Sequence, residues 1–102
     1  MRFQFFDGDE LIGHGDMSPS DPSMGVASGT FEPTANYRRE RHANEIDGEH
    51  VGYNGLNLQA RCGKIVECTI HIQDYQDSLQ ERSVMVMFPD GQRYSEVFQL
   101  DR

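Results

Sequence analysis

Six side chains in this 102-residue chain could bind a transition metal through sulfur or imidazole: His14, His42, His50, His71, Cys62 and Cys68. Zinc sites pair cysteines across two to four residues, whereas five separate Cys62 from Cys68. On an alternating strand His71 also falls on the opposite face from Cys68. The spacing therefore predicts neither a metal nor a cofactor, and it leaves surface histidines and a core-packed Cys68. A nucleophile elbow fails in the same way. In Gly25-Val26-Ala27-Ser28-Gly29 the serine stands one place too late. Gly13-His14-Gly15 lacks the third glycine of a phosphate loop. Asp7-Gly8-Asp9-Glu10, with His14 and Asp16, lacks the spacing of a calcium loop and reads as a turn. With 17 acids in the chain, carboxylate pairs select nothing.

Two features depart from this background. Arg38, Arg39, Arg41 and His42 form a basic cluster in an acidic chain. They suit an anion or an acidic partner; equally, they suit a solvated helix face paired with Glu40, Glu45 and neighbouring acids. The second feature is Asp21-Pro22-Ser23-Met24-Gly25-Val26-Ala27-Ser28-Gly29-Thr30-Phe31-Glu32-Pro33, which leads to Tyr37. Its prolines and glycines fix unusual backbone around an exposed-looking Met24. This run resembles a segment in small uncharacterised bacterial proteins that carry Asp-Pro-x-Met-Gly-Val-Ala near the N-terminus. The resemblance covers about the first 37 residues. No activity is known for that group, so the resemblance implies a bacterial origin and a defined loop, and assigns no site residue.

Composition narrows the classes. The length suits one domain spanning residues 1–102. The net charge of -8 repels phosphate backbones, so nucleic-acid binding is not expected. A basic protein surface is the favoured partner. No apolar run approaches the ~20 residues that span a bilayer. The start, Met1-Arg2-Phe3-Gln4-Phe5-Phe6-Asp7, lacks an apolar signal core, so no membrane contact and a cytoplasmic location are expected. Along one extended strand Cys62 and Cys68 would stand about 20 Å apart. Unless Gly63-Lys64 turns sharply, they are expected as free thiols.

The elements that must position these groups read mostly as short strands. Residues 2–6 and 11–14 predict a first hairpin across Asp7–Glu10. Residues 15–25 predict a long loop, because of Pro19 and Pro22. Val26–Phe31 predicts a short strand. Residues 34–46 suit a short helix capped by Thr34, or a structured turn, ended by Asp47-Gly48. Leu56–Arg61 predicts a strand. Residues 64–73 predict a clearer one, with Val66, Cys68, Ile70 and Ile72 inward, and residues 74–80 predict a loop. Residues 82–100 predict a hairpin closed by Pro89-Asp90-Gly91, with Gly91 as a left-handed bulge and Val86 opposite Tyr94. The expected fold is mainly β: a small antiparallel β-sandwich or barrel with at most one short helix, or alternatively an α+β roll.

These observations favour a non-enzymatic binding or interaction protein of immunity or inhibitor type. Met24, Tyr37, Arg38, Arg39, Arg41 and His14 are its candidate contacts. The competing class is a small enzyme or ligand binder with a pocket near residues 15–25, using His14, Ser28 and Tyr37. An open strand edge, or the face carrying Met85 and Met87, also suits a homodimer.

Overall fold

The computed structural model describes residues 1–52, 54 and 57–98. The fold is mainly β. Ten strands form one sheet: β1 (Arg2–Asp7), β2 (Glu10–Asp16), β3 (Ser18–Asp21), β4 (Val26–Pro33), β5 (Glu45–Ile46), β6 (Glu49–His50), β7 (Leu58–Cys62), β8 (Lys64–Val66), β9 (Thr69–Tyr75) and β10 (Glu81–Met87). Among the described residues three short helices accompany it, more than the single one expected: α1 (Arg39–His42), α2 (Gln76–Leu79) and α3 (Gly91–Phe98). The strand order is β6-β5-β9-β10-β4-β2-β1-β7-β8, with β3 also paired to β4.

The first hairpin forms as its alternation predicts, with Gly8 supplying a φ of 62°. Phe3 and Phe5 point inward and are fully buried. β4 is the hinge of the sheet. Val26–Thr30 pairs with β10, while Phe31–Pro33 pairs with β2. This arrangement brings the aromatic faces of both halves into one core of Phe3, Phe5, Phe31, Ile72, Val84, Val86 and Tyr94. The strands pass so closely that a Cβ on Gly29 would collide with the Asp16 carbonyl oxygen.

Several expectations are corrected. Residues 15–25 are not one loop. β2 runs on to Asp16, β3 pairs with β4 despite Pro19, and Pro22–Met24 form a 3-10 turn. Proline is tolerated there because β3 has its second edge open. The 64–73 strand divides at Glu67-Cys68: β8 pairs with β7, whereas β9 pairs with β10. Val66, Ile70 and Ile72 are buried as their alternation predicts. Gly63, at φ 81°, makes the sharp turn between Cys62 and Lys64, and both cysteines are free. Residues 74–80 complete β9 and form α2. Thr34 does not cap a helix; it bonds the Leu11 carbonyl and the Asn36 N–H, and α1 begins at Arg39. Asp47-Gly48, both at positive φ, close the β5–β6 hairpin. Of the predicted 56–61 strand, Leu56 lies outside the described residues.

The largest correction concerns the closing hairpin. β10 forms, but its partners are β9 and β4. Residues 91–98 are helical, and the rest of the expected return strand lies outside the described residues. The reason is periodicity. Tyr94, Val97 and Phe98 recur at i, i+3 and i+4, which places all three on one helical face. The Tyr94 N–H donates to the Asp90 carbonyl, and the Tyr94 hydroxyl donates to the Val26 carbonyl. Gly91 does not adopt positive φ and has open space around its Cα. Gly91→Ala should therefore raise stability by roughly 0.4–1 kcal/mol. Urea unfolding measures this; a loss of stability would instead indicate the left-handed bulge of a hairpin.

Candidate functional site

The inward phase of β9 continues past Ile70 and Ile72 to Asp74, whose side chain is fully buried. Three donors meet its carboxylate. The Tyr37 hydroxyl donates to Oδ2 at 2.7 Å, the Arg82 Nε donates to Oδ2 at 3.0 Å, and the Gln76 N–H donates to Oδ1 at 3.1 Å. Burial by itself pushes the pKa of this carboxyl up, but the hydrogen bonds from Tyr37, Arg82 and Gln76 outweigh it. The net result lies below the ordinary carboxylate range. Burial, and then the neighbouring carboxylate, push the Tyr37 hydroxyl far above its usual value, so it remains a donor. The Arg82 guanidinium also lies 5.5 Å from the centre of the Tyr37 ring.

On its other side Tyr37 stacks on the buried His42 ring, with centroids 5.8 Å apart. Both ring nitrogens of His42 are engaged. Nδ1 accepts the Arg38 N–H at 2.9 Å, so Nε2 carries the proton and donates it to Asp7 Oδ2 at 3.0 Å. Arg41 Nε donates to the same oxygen at 2.9 Å. The His42 hydrogen bond is the main cause that holds the Asp7 carboxyl below its usual range, with Arg41 adding to it against the opposing effect of burial. Asp7, Arg38, Arg41 and His42 form the inner wall of a cleft of about 590 Å³, between the β1–β2 turn and residues 36–42. Asp9 and Glu10 form the opposite rim, exposed and without a cationic partner among the described residues.

The candidate contacts are distributed unevenly. Arg41 and Arg38 reach this cleft. Arg38 gives Nη1 to the Ala35 and Tyr37 carbonyls and has no acidic partner among the described residues. Arg39 turns away to Asp77 at 2.8 Å, with Asp47 and Glu40 nearby. Tyr37 is buried in the Asp74 network. Met24 is 61% exposed at the end of the 3-10 turn, away from these groups in the pairing scheme. His14 lies on β2 opposite Gln4 and Glu32. Ser28 stands four residues from Glu32 along β4, about 13 Å at strand spacing, so His14 and Ser28 are not brought together. Among the described residues no three His, Cys, Asp or Glu side chains are placed to hold a metal ion.

Sequence reasoning missed Asp74, Arg82 and Asp7. A signal for Asp74 was present, because an acid occupied the next inward position of an alternating strand. Asp7 carried no such mark, since an exposed Asp-Gly turn explained it fully.

No family model, curated protein or solved structure matches this chain. Function therefore rests on the geometry of its own residues.

Both shifted acids act in the same direction. Asp74 and Asp7 have folded values below their unfolded ones. Their stabilisation is present above the ordinary carboxylate range and is lost as pH falls through the folded values. Urea midpoints should therefore drop below about pH 4, and less steeply in Asp74→Asn; an unchanged slope would contradict this. At neutral pH Tyr37→Phe should cost about 1–3 kcal/mol, measured by urea unfolding.

Proposed function

We propose that this chain is a non-enzymatic interaction protein that docks a basic segment of a partner protein at the cleft between the β1–β2 turn and residues 36–42. One observation carries the reading: the cleft's inner groups are engaged internally, while its acidic rim is not. Neither ring nitrogen of His42 is open to a ligand in the cleft, because the Arg38 N–H and Asp7 engage both. Among the described residues the cleft lining contains no serine, threonine or cysteine to act as a nucleophile. Arg41 neutralises Asp7 and Arg38 is held by backbone carbonyls, so Asp9 and Glu10 leave the lining with one more acid than cation. In a chain of net charge -8, these rim charges also steer a basic partner toward the cleft and raise its association rate. The free thiols suit a reducing compartment, so a cytoplasmic location belongs to the same proposal. No helix of the described residues is long and apolar enough to cross a membrane.

The test compares wild type with Asp9→Lys/Glu10→Lys as baits in native lysate at low salt. Wild type should retain a basic protein that is released as salt rises, because exposed charges are screened. The charge-reversed bait should lose that protein while its melting temperature stays nearly unchanged. Equal retention by both baits, or retention insensitive to salt, would contradict the proposal.

A further inference from the structure

A second cleft lies on another part of the molecule, between the β7–β8 hairpin and α3, and encloses about 200 Å³. Its charge balance is unlike that of the other clefts described. Lys64 on β8 and Arg93 on α3 both line it, and among the described residues neither has a hydrogen bond or an ion pair to an acid. Glu96 is the single acid among the described lining residues, and it has an interaction of its own. The cleft therefore carries one more cation than acid in a chain of net charge -8. The cleft beside Asp7 has one more acid than cation. A third cleft, beside Ser28, has one of each, Glu81 and Arg82.

The floor of the cationic cleft is apolar. Val66 is buried at the end of β8, and Val97 is half-buried on α3. Two cations from separate elements thus stand over an aliphatic floor, in a volume below that of a pocket for a drug-sized ligand. Two cations that line one cleft gain most from an anion that accepts a charge-assisted hydrogen bond from each of them. The aliphatic floor gains from an apolar tail.

We propose that this cleft binds a small amphipathic carboxylate, its carboxylate between Lys64 and Arg93 and its aliphatic tail on Val66 and Val97. This site is independent of the partner cleft: it shares no lining residue with it. Cys62 also lines it, which supplies a local reporter.

Octanoate is the probe, with octanol as its uncharged counterpart. Calorimetric titration of the full chain should show one octanoate per chain. Lys64→Ala and Arg93→Ala should each weaken binding by roughly tenfold. Octanol should bind more weakly than octanoate to wild type and equally to both variants. Bound octanoate should slow alkylation of Cys62 by iodoacetamide, read by peptide mass spectrometry, and leave Cys68 unaffected. Cys68 serves as the internal comparison because burial pushes its thiol up to about 12. Neither cation has an acidic partner to lose among the described residues, so both variants should retain the wild-type melting temperature. Octanoate that fails to bind, that binds no better than octanol, or that binds both variants unchanged would overturn the proposal. Binding without protection of Cys62 would place the ligand elsewhere and overturn it equally.

Discussion

A carboxylate removed from water must be met by charge and hydrogen bonds, or it costs several kcal/mol. Asp74 is removed from water completely and is met on both oxygens. Its donors come from three places: Tyr37 from the segment before α1, Arg82 from the neighbouring strand β10, and Gln76 from the start of α2. None of the three can move far without leaving the charge exposed to an apolar interior. The backbone reinforces the arrangement. The Asn44 N–H donates to the Ile72 carbonyl, and the Asn44 side chain returns an acceptor to the Ile72 N–H. The Asp47 N–H donates to the Asp74 carbonyl, and its carboxylate accepts from Ser78 in α2. Residues 37–47 have few apolar side chains, yet they lie on the sheet through this polar framework.

The candidate cleft follows from the same constraint. With Tyr37 fixed by Asp74, His42 stacks on its ring and turns one nitrogen toward Asp7. Arg38 closes the other nitrogen through its own backbone. Groups that would suggest acid–base chemistry in isolation therefore serve as structure. What remains available at the cleft is charge at the rim, and the proposed recognition rests on it.

The legible parts of the sequence were those in which one period dominated. Phe3 and Phe5 announced β1, the Asp-Gly turn closed the first hairpin, and Val66, Ile70 and Ile72 marked an inward face. The chain break at Glu67-Cys68 left that face unchanged, so alternation alone did not reveal it. Residues 94 and 98 misled because a spacing of four satisfies both a strand and a helix, and Pro89-Asp90-Gly91 suits a hairpin turn as well as a helix start. Val97, one residue before Phe98, was the deciding signal: it breaks strand alternation and completes the helical face. Asp74 was hidden for a different reason. A run of polar residues from Asp74 to Gln80 resembles a loop, and nothing local reveals that Tyr37 and Arg82 will reach the same oxygen from 37 and 8 residues away. The basic cluster was visible, but the acids that engage Arg39 and Arg41, Asp77 and Asp7, are equally remote in sequence.

Residues 37–47 are attached through the Asp74 carboxylate, and the rest of the sheet is held by its apolar core. Native-state hydrogen exchange in wild type and Asp74→Asn tests this directly, because it resolves local from global opening. The predicted result is a selective loss of protection at the amides of His42, Ala43, Asn44 and Asp47, while amides of β1 and β10 stay protected relative to global unfolding. Uniform loss across all of these amides, or unchanged protection at residues 42–47, would contradict the account.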